Sequence, residues 1–297
     1  MVLEGRISSG KLFELLSARL KGKVLAVFSS GIYLDFCGKL IMLHDKENGY
    51  LPFGIALDNF KGRGKAFGME PGMEIVCSDS VLLCPGVDFQ LRLFMSEKSE
   101  KLCIGDPLPA FAGNIASYPE LRRRSSLGIY APCMLGSIDE DSIDDIFART
   151  AYKGLVMLCD ALDSCSMEHM ENALNRLLGL GRGLTPSLDD FLCGLIFTMH
   201  YAETFLGYKQ PYLYILCKAL IKNVPVRTNV YSSAYLLSAA LGEDFSLLRE
   251  CVENSGNPQH FDYIHRLFDV GSSSGADMLS GMCFAANYIL KQREFTV

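Results

Sequence analysis

The hydrophobic pattern of this chain changes its period near the middle of the sequence. Between residues 23 and 96, apolar residues form short runs that are separated by turn-forming pairs such as Pro71-Gly72 and Pro85-Gly86. In residues 87–93 apolar and polar side chains alternate, which is typical of a strand with one buried face. After Ser137 apolar residues recur every three or four positions, as on one face of a helix. The pattern predicts an α+β protein, with an N-terminal antiparallel β module (a small barrel or sheet) followed by an all-α domain.

Three regions follow from this change of period. We predict a β-rich domain in residues 1–104, a connecting segment in residues 105–136 and a helical domain in residues 137–297. The connecting segment contains four prolines and no clear period, so irregular structure is expected there, with Arg122-Arg123-Arg124 on a surface turn. The predicted strands are residues 23–28, 32–36, 39–44, 74–77, 81–84 and 87–94, after a leading helix within residues 3–20.

The helical half carries its own local signals. Ser142 and Asp145 suggest a capping box before Ile146. Further helices are predicted at residues 189–206, 212–222, 231–241, 245–254 and 276–291, and one helix face is marked by Met167, Met170, Leu174 and Leu177.

Composition limits the class of protein. The chain is 49% hydrophobic and 21% charged, so it can bury a core and is not a wholly disordered protein. Its net charge of -6 argues against wrapping nucleic acid or an anionic membrane. The N-terminal residues carry too many charges for a signal peptide, and the longest apolar stretch, residues 191–207, is too polar to span a bilayer. The 11 scattered cysteines are expected to be buried thiols in a reducing cytoplasm.

The helical half contains an internal repeat. Residues 187–194 and residues 274–281 both read S-x-x-D-x-L-x-G, and each segment follows a stretch rich in glycine or serine. One interpretation is structural: a serine cap with a carboxylate in the first turn begins each helix, and the two helices cross at Gly194 and Gly281. The other interpretation is functional, because glycine-rich turns before helix N-termini expose backbone N–H groups that bind phosphate or carboxylate.

The functional interpretation names a set of candidate residues. Arg182 would add a guanidinium to the anion site, and Arg227-Thr228-Asn229 is either a third anion-binding segment or a simple helix cap with a surface arginine. The predicted substrate-binding residues are Gly181, Arg182, Gly183, Thr185, Ser187, Arg227, Thr228, Asn229, Ser272, Ser273, Ser274 and Gly275.

Three aspartates are the predicted catalytic residues. Asp189, Asp190 and Asp277 are expected at the starts of the two repeat helices. They would either hold Mg²⁺, which prefers oxygen ligands, or orient a substrate amide by accepting its N–H. No cofactor is predicted, with Mg²⁺ as a possible exception. The spacing is not that of a Walker A motif, because no Lys-Ser/Thr pair follows the glycines.

The motifs resemble those of a known family. The AllH-like family has a signature similar to residues 179–192, Gly-Leu-Gly-Arg-Gly-Leu-Thr-Pro-Ser-Leu-Asp-Asp-Phe-Leu, and residues 227–242 and 271–281 are similar to its later motifs. That family includes a subunit of oxamate carbamoyltransferase, which works with two other subunits in allantoin and purine breakdown. The resemblance implies phosphorolysis of oxalurate to oxamate and carbamoyl phosphate, or its reverse. This chain has Leu188 where the family usually has glycine, and that side chain either narrows a pocket or lies on the helix surface.

Three functions therefore remain open at the level of sequence. The first is a cytoplasmic carbamoyltransferase subunit, active within a multi-subunit assembly, that binds a small anionic substrate at the two helix N-termini. The second is a Mg²⁺-dependent hydrolase of a phosphorylated or N-glycosidic metabolite, built on the three aspartates. The third is a non-catalytic scaffold that senses an anion. None of them involves nucleic acid or a membrane.

Overall fold

The computed structural model describes residues 2–60, 62–96 and 105–294. The chain divides into two compact units. The first comprises Met1–Leu102 together with Asp244–Leu247, and the second comprises Cys103–Glu243 and Leu248–Val297. The domain boundaries at residues 104 and 136 stay predictions.

The first unit is a closed barrel of eight strands, so the predicted β module is confirmed. The strands are β1 (Val2–Ile7), β2 (Leu20–Val27), β3 (Gly31–Phe36), β4 (Lys39–Asp45), β5 (Gly54–Leu57), β6 (Glu74–Ser78), β7 (Val81–Cys84) and β8 (Phe89–Met95). Their order around the barrel is β1-β5-β4-β3-β2-β6-β7-β8. The contacts of β1 with β8 and of β4 with β5 are parallel, and the other contacts are antiparallel. Closure removes the exposed edges that an open sheet would leave.

Two strands of the barrel were not predicted. The leading helix expected within residues 3–20 is wrong at its start, because residues 2–7 form β1 and only Gly10–Ser17 is helical (α1). Pairing with β5 and β8 decides the conformation of β1, and Ser9 then caps α1 by accepting a hydrogen bond from the Leu12 amide at 3.3 Å. Strand β5 has only four residues, all buried, so it shows no alternation that a sequence pattern could detect.

The helices that follow the barrel are α2 (Leu108–Ala116), α3 (Pro119–Arg124), α4 (Ile146–Ser164), α5 (Met167–Leu177), α6 (Ser187–Leu206), α7 (Leu213–Arg227), α8 (Val230–Ala240), α9 (Ser246–Glu253), α10 (His260–Phe268) and α11 (Ser274–Glu294). The predicted helical character of this half is confirmed. Met170, Leu174 and Leu177 are buried on one face of α5, as their spacing indicated.

Two local predictions in this half are wrong. Residues 105–136 are not irregular throughout, because Pro109 and Pro119 lie in the first turns of α2 and α3, where a missing N–H costs no hydrogen bond. The cap of α4 is Asp145, which accepts a hydrogen bond from the Ala148 amide at 2.8 Å, whereas Ser142 ends a short 3-10 turn before it.

Helices α6 and α11 run side by side in the same direction. Their N-terminal ends meet where the hydroxyls of Thr185 and Ser274 lie 3.0 Å apart. Near their C-terminal ends, the guanidinium of Arg293 lies 4.1 Å from the ring centre of Tyr208. The two repeats of the sequence thus form one helix pair.

The predicted crossing at two glycines is confirmed. A Cβ atom at Gly194 would lie 2.0 Å from the carbonyl oxygen of Met278, and one at Gly281 would lie 1.9 Å from that of Phe191. The two contacts are equivalent: Met278 lies three positions before Gly281, and Phe191 lies three positions before Gly194. Only glycine allows the two backbones to approach this closely.

The ten cysteines in the described residues are free thiols. Seven of them are buried, which confirms the predicted role of small hydrophobes for most of the set. In the part of the chain that the structure describes, no helix combines the length and the apolar character that a membrane crossing requires.

Candidate functional site

A turn rich in glycine, residues 179–185, leads from α5 to α6 and is called the glycine turn below. Gly179, Gly181 and Gly183 have φ angles of 76°, 134° and 105°, which favour glycine. A Cβ atom at Gly181 would lie 2.3 Å from the Ser187 amide nitrogen, and one at Gly179 would lie 2.6 Å from the carbonyl oxygen of Arg227. The glycines therefore fold the turn tightly onto the start of α6 and onto the junction between α7 and α8.

The first turn of α6 is not capped as predicted. Pro186 takes the cap position and α6 begins at Ser187, which is therefore not the cap. Ser274 is likewise the first residue of α11. The amides of residues 188, 189 and 190 already donate to carbonyl oxygens at 3.0, 2.9 and 3.2 Å. An anion at this end of α6 would rely mainly on hydroxyl and guanidinium groups.

Asp189 fixes the glycine turn to the rest of the fold. Its carboxylate is 1% exposed and accepts hydrogen bonds from the Gly179 amide at 2.8 Å and from the Thr228 hydroxyl. Burial raises the pKa of Asp189, and hydrogen bonding by Gly179, Thr228 and Ser232 opposes that shift. Both oxygens have structural partners, so Asp189 is a positioning residue in this geometry.

Asp190 lies among hydroxyl groups between the two repeat helices. The Thr185 hydroxyl donates to its Oδ2 at 2.8 Å and lies 3.0 Å from the Ser274 hydroxyl. Burial raises the pKa of Asp190 well above its ordinary value. Hydrogen bonds from Thr185 and Ser274 oppose the shift, and the charges of Asp277 and Asp189 add to it. Asp190 is thus a carboxyl group that holds its proton more tightly than an exposed aspartate does.

Asp277 occupies the matching position on α11 and has one unused oxygen. Its Oδ1 accepts a hydrogen bond from the Ser125 hydroxyl at 2.5 Å. Its Oδ2 is buried and has no described donor in hydrogen-bonding geometry, although the hydroxyls of Ser187 and Ser273 lie near enough to the carboxylate to influence its pKa. Burial raises the pKa of Asp277, and the hydroxyls of Ser125, Ser187 and Ser273 counteract part of that rise. A buried acceptor without a donor is costly unless a ligand or a proton satisfies it.

Ser125 is the residue of this site that sequence reasoning missed. The basic cluster Arg122-Arg123-Arg124 is exposed as predicted, but it lies in the last turn of helix α3 and not on a surface turn. Ser125 follows the cluster and caps the end of α3. Its hydroxyl also accepts a hydrogen bond from the Leu127 amide at 3.1 Å. No motif connects Ser125 with Asp277, which lies 152 positions further along the chain, so only the folded structure relates them.

The third predicted segment packs against the glycine turn. Asn229 caps α8 by accepting from the amides of residues 231 and 232 at 2.9 and 3.0 Å, and its amide donates to the Leu184 carbonyl at 2.8 Å. Asn229 is thus the cap of α8 and Arg227 is exposed, while anion binding by this segment stays a prediction. Arg182 and Arg227 are exposed, and neither forms an ion pair with any described residue.

The remaining predicted residues differ in their exposure. Ser272 is exposed, and Ser273 and Ser274 are half-buried beside Asp277 and Asp190. Gly275 is buried, and a Cβ atom there would lie 1.7 Å from the carbonyl oxygen of Leu267. Gly275 therefore allows α11 to pack on the end of α10, and its predicted role in substrate binding stays a prediction.

Asp190, Asp277, Thr185, Ser274 and Ser125 together form what we call the carboxyl cluster. Within the described residues, no lysine, arginine or histidine pairs with either carboxylate. The two carboxyl groups therefore lack the neutralising partner that buried charges usually have. Burial without such a partner favours the protonated form of each carboxyl group.

The three aspartates do not converge on one point. Asp189 is directed to Gly179 and Thr228, whereas Asp277 is directed to Ser125. No group of three or more described His, Cys, Asp or Glu side chains is placed to hold a metal ion. A magnesium site built on all three aspartates is therefore not assembled, and the use of Mg²⁺ by other means stays a prediction.

Leu188 is fully buried, so its side chain does not lie on the helix surface. It packs into the core immediately before the aspartate pair.

Replacing Asp190 by Asn should change how stability depends on pH. The folded pKa of Asp190 is raised above the unfolded value of 3.8, so its contribution to stability is complete below about pH 4 and is lost as pH rises toward the folded pKa. We expect the stability of Asp190→Asn relative to wild type to increase as pH rises from about 4 toward the folded pKa of Asp190, and to stay higher above it. Urea unfolding at several pH values measures this difference. The exposed Asp262→Asn control should follow wild type, and a difference for Asp190→Asn that does not vary with pH would contradict the assignment.

Comparison with protein families gives a match in the helical half of the chain. The model of the family described as oxamate carbamoyltransferase subunit AllH matches residues 177–286, more than a third of the chain. All three motifs of the resemblance lie within this range, so the resemblance is confirmed there. No solved structure matches the chain.

Proposed function

We infer that this protein is the subunit of a carbamoyltransferase that interconverts oxalurate plus phosphate with oxamate plus carbamoyl phosphate. The observation that carries the proposal is the carboxyl cluster. Asp190 and Asp277 are buried close together at the N-terminal ends of the two repeat helices, and no described lysine, arginine or histidine pairs with them. Both lie within the residues that match the carbamoyltransferase subunit family.

The reaction needs a proton donor beside the leaving amide nitrogen, and the carboxyl cluster contains groups that can serve as one. A phosphate oxygen attacks the carbamoyl carbon of oxalurate, the bond from that carbon to the amide nitrogen breaks, and the nitrogen takes up a proton to leave as oxamate. A carboxyl group with a raised pKa is suited to donate this proton and, in the reverse direction, to remove it. We assign the proton transfer to Asp190, because its pKa is raised well above the ordinary value.

We assign Asp277 the role of binding the carbamoyl group of the substrate. Its Oδ2 is a buried acceptor without a donor among the described residues, whereas Oδ1 is held by Ser125 at 2.5 Å. An N–H of the substrate would satisfy this oxygen, and the short bond to Ser125 would keep the carboxylate in place. The requirement is specific, because a substrate without an N–H at this point would leave the oxygen unpaired.

The anionic parts of the substrates would bind beside the cluster. The hydroxyls of Ser187 and Ser273 are half-buried next to Asp277, and Arg182 and Arg227 are exposed and pair with no acidic group in the described part of the chain. Arginine binds phosphate and carboxylate through two parallel hydrogen bonds. We therefore place phosphate between these hydroxyls and one or both arginines.

The proposed enzyme is active as an assembly in the cytoplasm. The matching family is described as a subunit, and two further subunits are expected from the resemblance. The exposed positions of Arg182 and Arg227 suit a site that another chain completes.

Two measurements test the proposal. Co-expression with the two partner subunits should give carbamoyl phosphate from oxalurate and phosphate. For the isolated chain, carbamoyl phosphate or oxamate at about a hundred times its dissociation constant should add about 2.7 kcal/mol, which raises the melting temperature by roughly 5–10 °C without Mg²⁺. Absence of turnover in the full assembly, together with no stabilisation by either anion, would overturn the proposal. Binding without turnover would indicate the scaffold, and stabilisation by Mg²⁺ alone would indicate the hydrolase.

A further inference from the structure

Three exposed apolar side chains surround the glycine turn and are called the apolar face below. Leu184 lies in the turn itself and is 38% exposed. Val226 and Val230 lie on either side of the junction between α7 and α8 and are 78% and 48% exposed. The side-chain amide of Asn229 donates to the Leu184 carbonyl at 2.8 Å, so the turn is held against this junction. Single exposed apolar side chains are common on proteins, whereas a group of them marks an interaction surface.

The charge around the apolar face is positive. Residues 204–242, which include all of α7 and α8, contain four basic residues and no aspartate or glutamate, whereas the whole chain has a net charge of -6. Lys222 is paired with Glu171 of α5 at 2.7 Å. Arg182 and Arg227 are exposed next to the apolar side chains and pair with no acidic group among the residues that the structure describes. The surface thus combines apolar side chains with two positive charges that lack a partner.

A second copy of this chain fits the apolar face poorly. A two-fold dimer formed through the face would place Arg182 and Arg227 of one copy opposite the same arginines of the other copy. Like charges brought together in an interface cost affinity. A different chain that carries carboxylates beside apolar side chains would cover the valines and also pair with the arginines, because arginine forms strong hydrogen bonds with carboxylate. The charge therefore favours an acidic partner.

We propose that the apolar face and its two arginines form the surface on which another chain of the transferase assembly docks through an acidic and apolar segment. The identity of the partner rests on the proposed function. Thr185 follows Leu184 directly and donates to Asp190 of the carboxyl cluster at 2.8 Å, so the docked chain would lie beside the cluster and shield it from water. A carboxylate of the partner needs one guanidinium, which leaves the other for the phosphate of the proposed reaction.

Two substitutions of Val226 test both the position of the surface and the sign of its partner. Val226→Glu and Val226→Lys both remove the apolar contact, and both changes are tolerable at a side chain that is 78% exposed. The melting temperature of each isolated variant checks the fold, and calorimetry measures binding to the purified partner subunits. We expect Val226→Glu to weaken this binding about 100-fold and Val226→Lys to weaken it tenfold at most, because only glutamate repels an acidic partner. Wild-type binding by Val226→Glu, or an equal or larger loss with Val226→Lys, would overturn the proposal.

Phe205→Glu is the matched control for a glutamate on an exposed apolar position. Phe205 is 65% exposed in the last turn of α6. It lies 18 residues after Ser187, which corresponds to about 27 Å along the helix from the end where the glycine turn lies. We expect Phe205→Glu to bind the partner subunits as wild type does. A loss equal to that of Val226→Glu would show that the surface is not at the glycine turn.

Turnover in the same preparations separates this inference from the proposed reaction. Binding that depends on Val226 but gives no carbamoyl phosphate would overturn the reaction and keep the docking surface. Turnover by an assembly that binds Val226→Glu as tightly as wild type would keep the reaction and overturn the docking surface. The docking proposal is also wrong if the wild-type chain binds neither partner subunit, or if sedimentation shows a dimer of the isolated chain that Val226→Glu dissociates.

Discussion

Asp190→Asn is expected to lower kcat of the assembled enzyme about 100-fold to 10,000-fold, the range for losing a general acid or base. Asparagine has nearly the shape of a protonated aspartate, and its oxygen can still accept a hydrogen bond from the Thr185 hydroxyl. Its amide is not acidic, however, so it cannot transfer a proton to the leaving nitrogen. The measurement is carbamoyl phosphate formation from oxalurate and phosphate by the complete assembly. The KM for phosphate should change little, because the proposed phosphate contacts lie on other side chains.

The pH profile separates this role from a structural one. Phosphorolysis needs the protonated form of Asp190, so wild-type activity in that direction should fall as pH rises through the raised pKa of this residue. The residual activity of Asp190→Asn should lose that dependence. Asp262→Asn, at an exposed position on α10, should keep both the rate and the profile of wild type. If Asp190→Asn keeps more than about half of the wild-type rate, the residue is not the proton donor.

The same substitution is expected to stabilise the fold at neutral and higher pH. Burial is the main cause that makes the charged carboxylate of Asp190 unfavourable in the native state, and the charges of Asp277 and Asp189 add to it; the neutral asparagine removes both effects. A loss of activity together with a gain of stability is typical of residues that are kept for chemistry.

The sequence predicted those strands and helices that are marked by hydrophobic periodicity or by residues close together in the chain. Strict alternation identified β8, and helical spacing identified α5. The repeat predicted that Gly194 and Gly281 lie at a helix crossing, because a glycine at matching positions of two apolar helices indicates a close backbone approach.

The patterns failed where a distant partner decides the outcome. Strand β1 forms because β5 and β8 pair with it, and Ser125 joins the site because α3 places it beside α11. Asp190 and Asp277 were predicted to close capping boxes, yet Asp190 accepts a hydrogen bond from the Thr185 hydroxyl and Asp277 accepts one from the Ser125 hydroxyl. Spacing gives the residue types at a site but not the direction in which each carboxylate points.

Gly194→Ala and Gly281→Ala are expected to destabilise the helical unit strongly and to similar extents. In each case the new methyl group would lie about 2 Å from a backbone carbonyl oxygen of the other helix, which a side-chain rotation cannot relieve. Overpacking of this kind costs about 3 kcal/mol, which lowers the melting temperature by roughly 6–12 °C in a protein of this size. The two helices must move apart, and Thr185 and Ser274, at their N-terminal ends, would move apart with them.

Gly113→Ala provides the matched control, because Gly113 also lies inside a helix but has no atom within 4 Å of the position of a new Cβ. Alanine favours the helix over glycine by about 1 kcal/mol, so this variant should keep or raise the melting temperature. Calorimetry or circular dichroism on the three variants separates the effect of helix propensity from that of the crossing. If Gly194→Ala and Gly281→Ala melt at the same temperature as Gly113→Ala, the two backbones do not meet at the glycines. If only one of the pair is destabilised, the contact is not reciprocal, and the two repeats do not pack as equivalent halves of one helix pair.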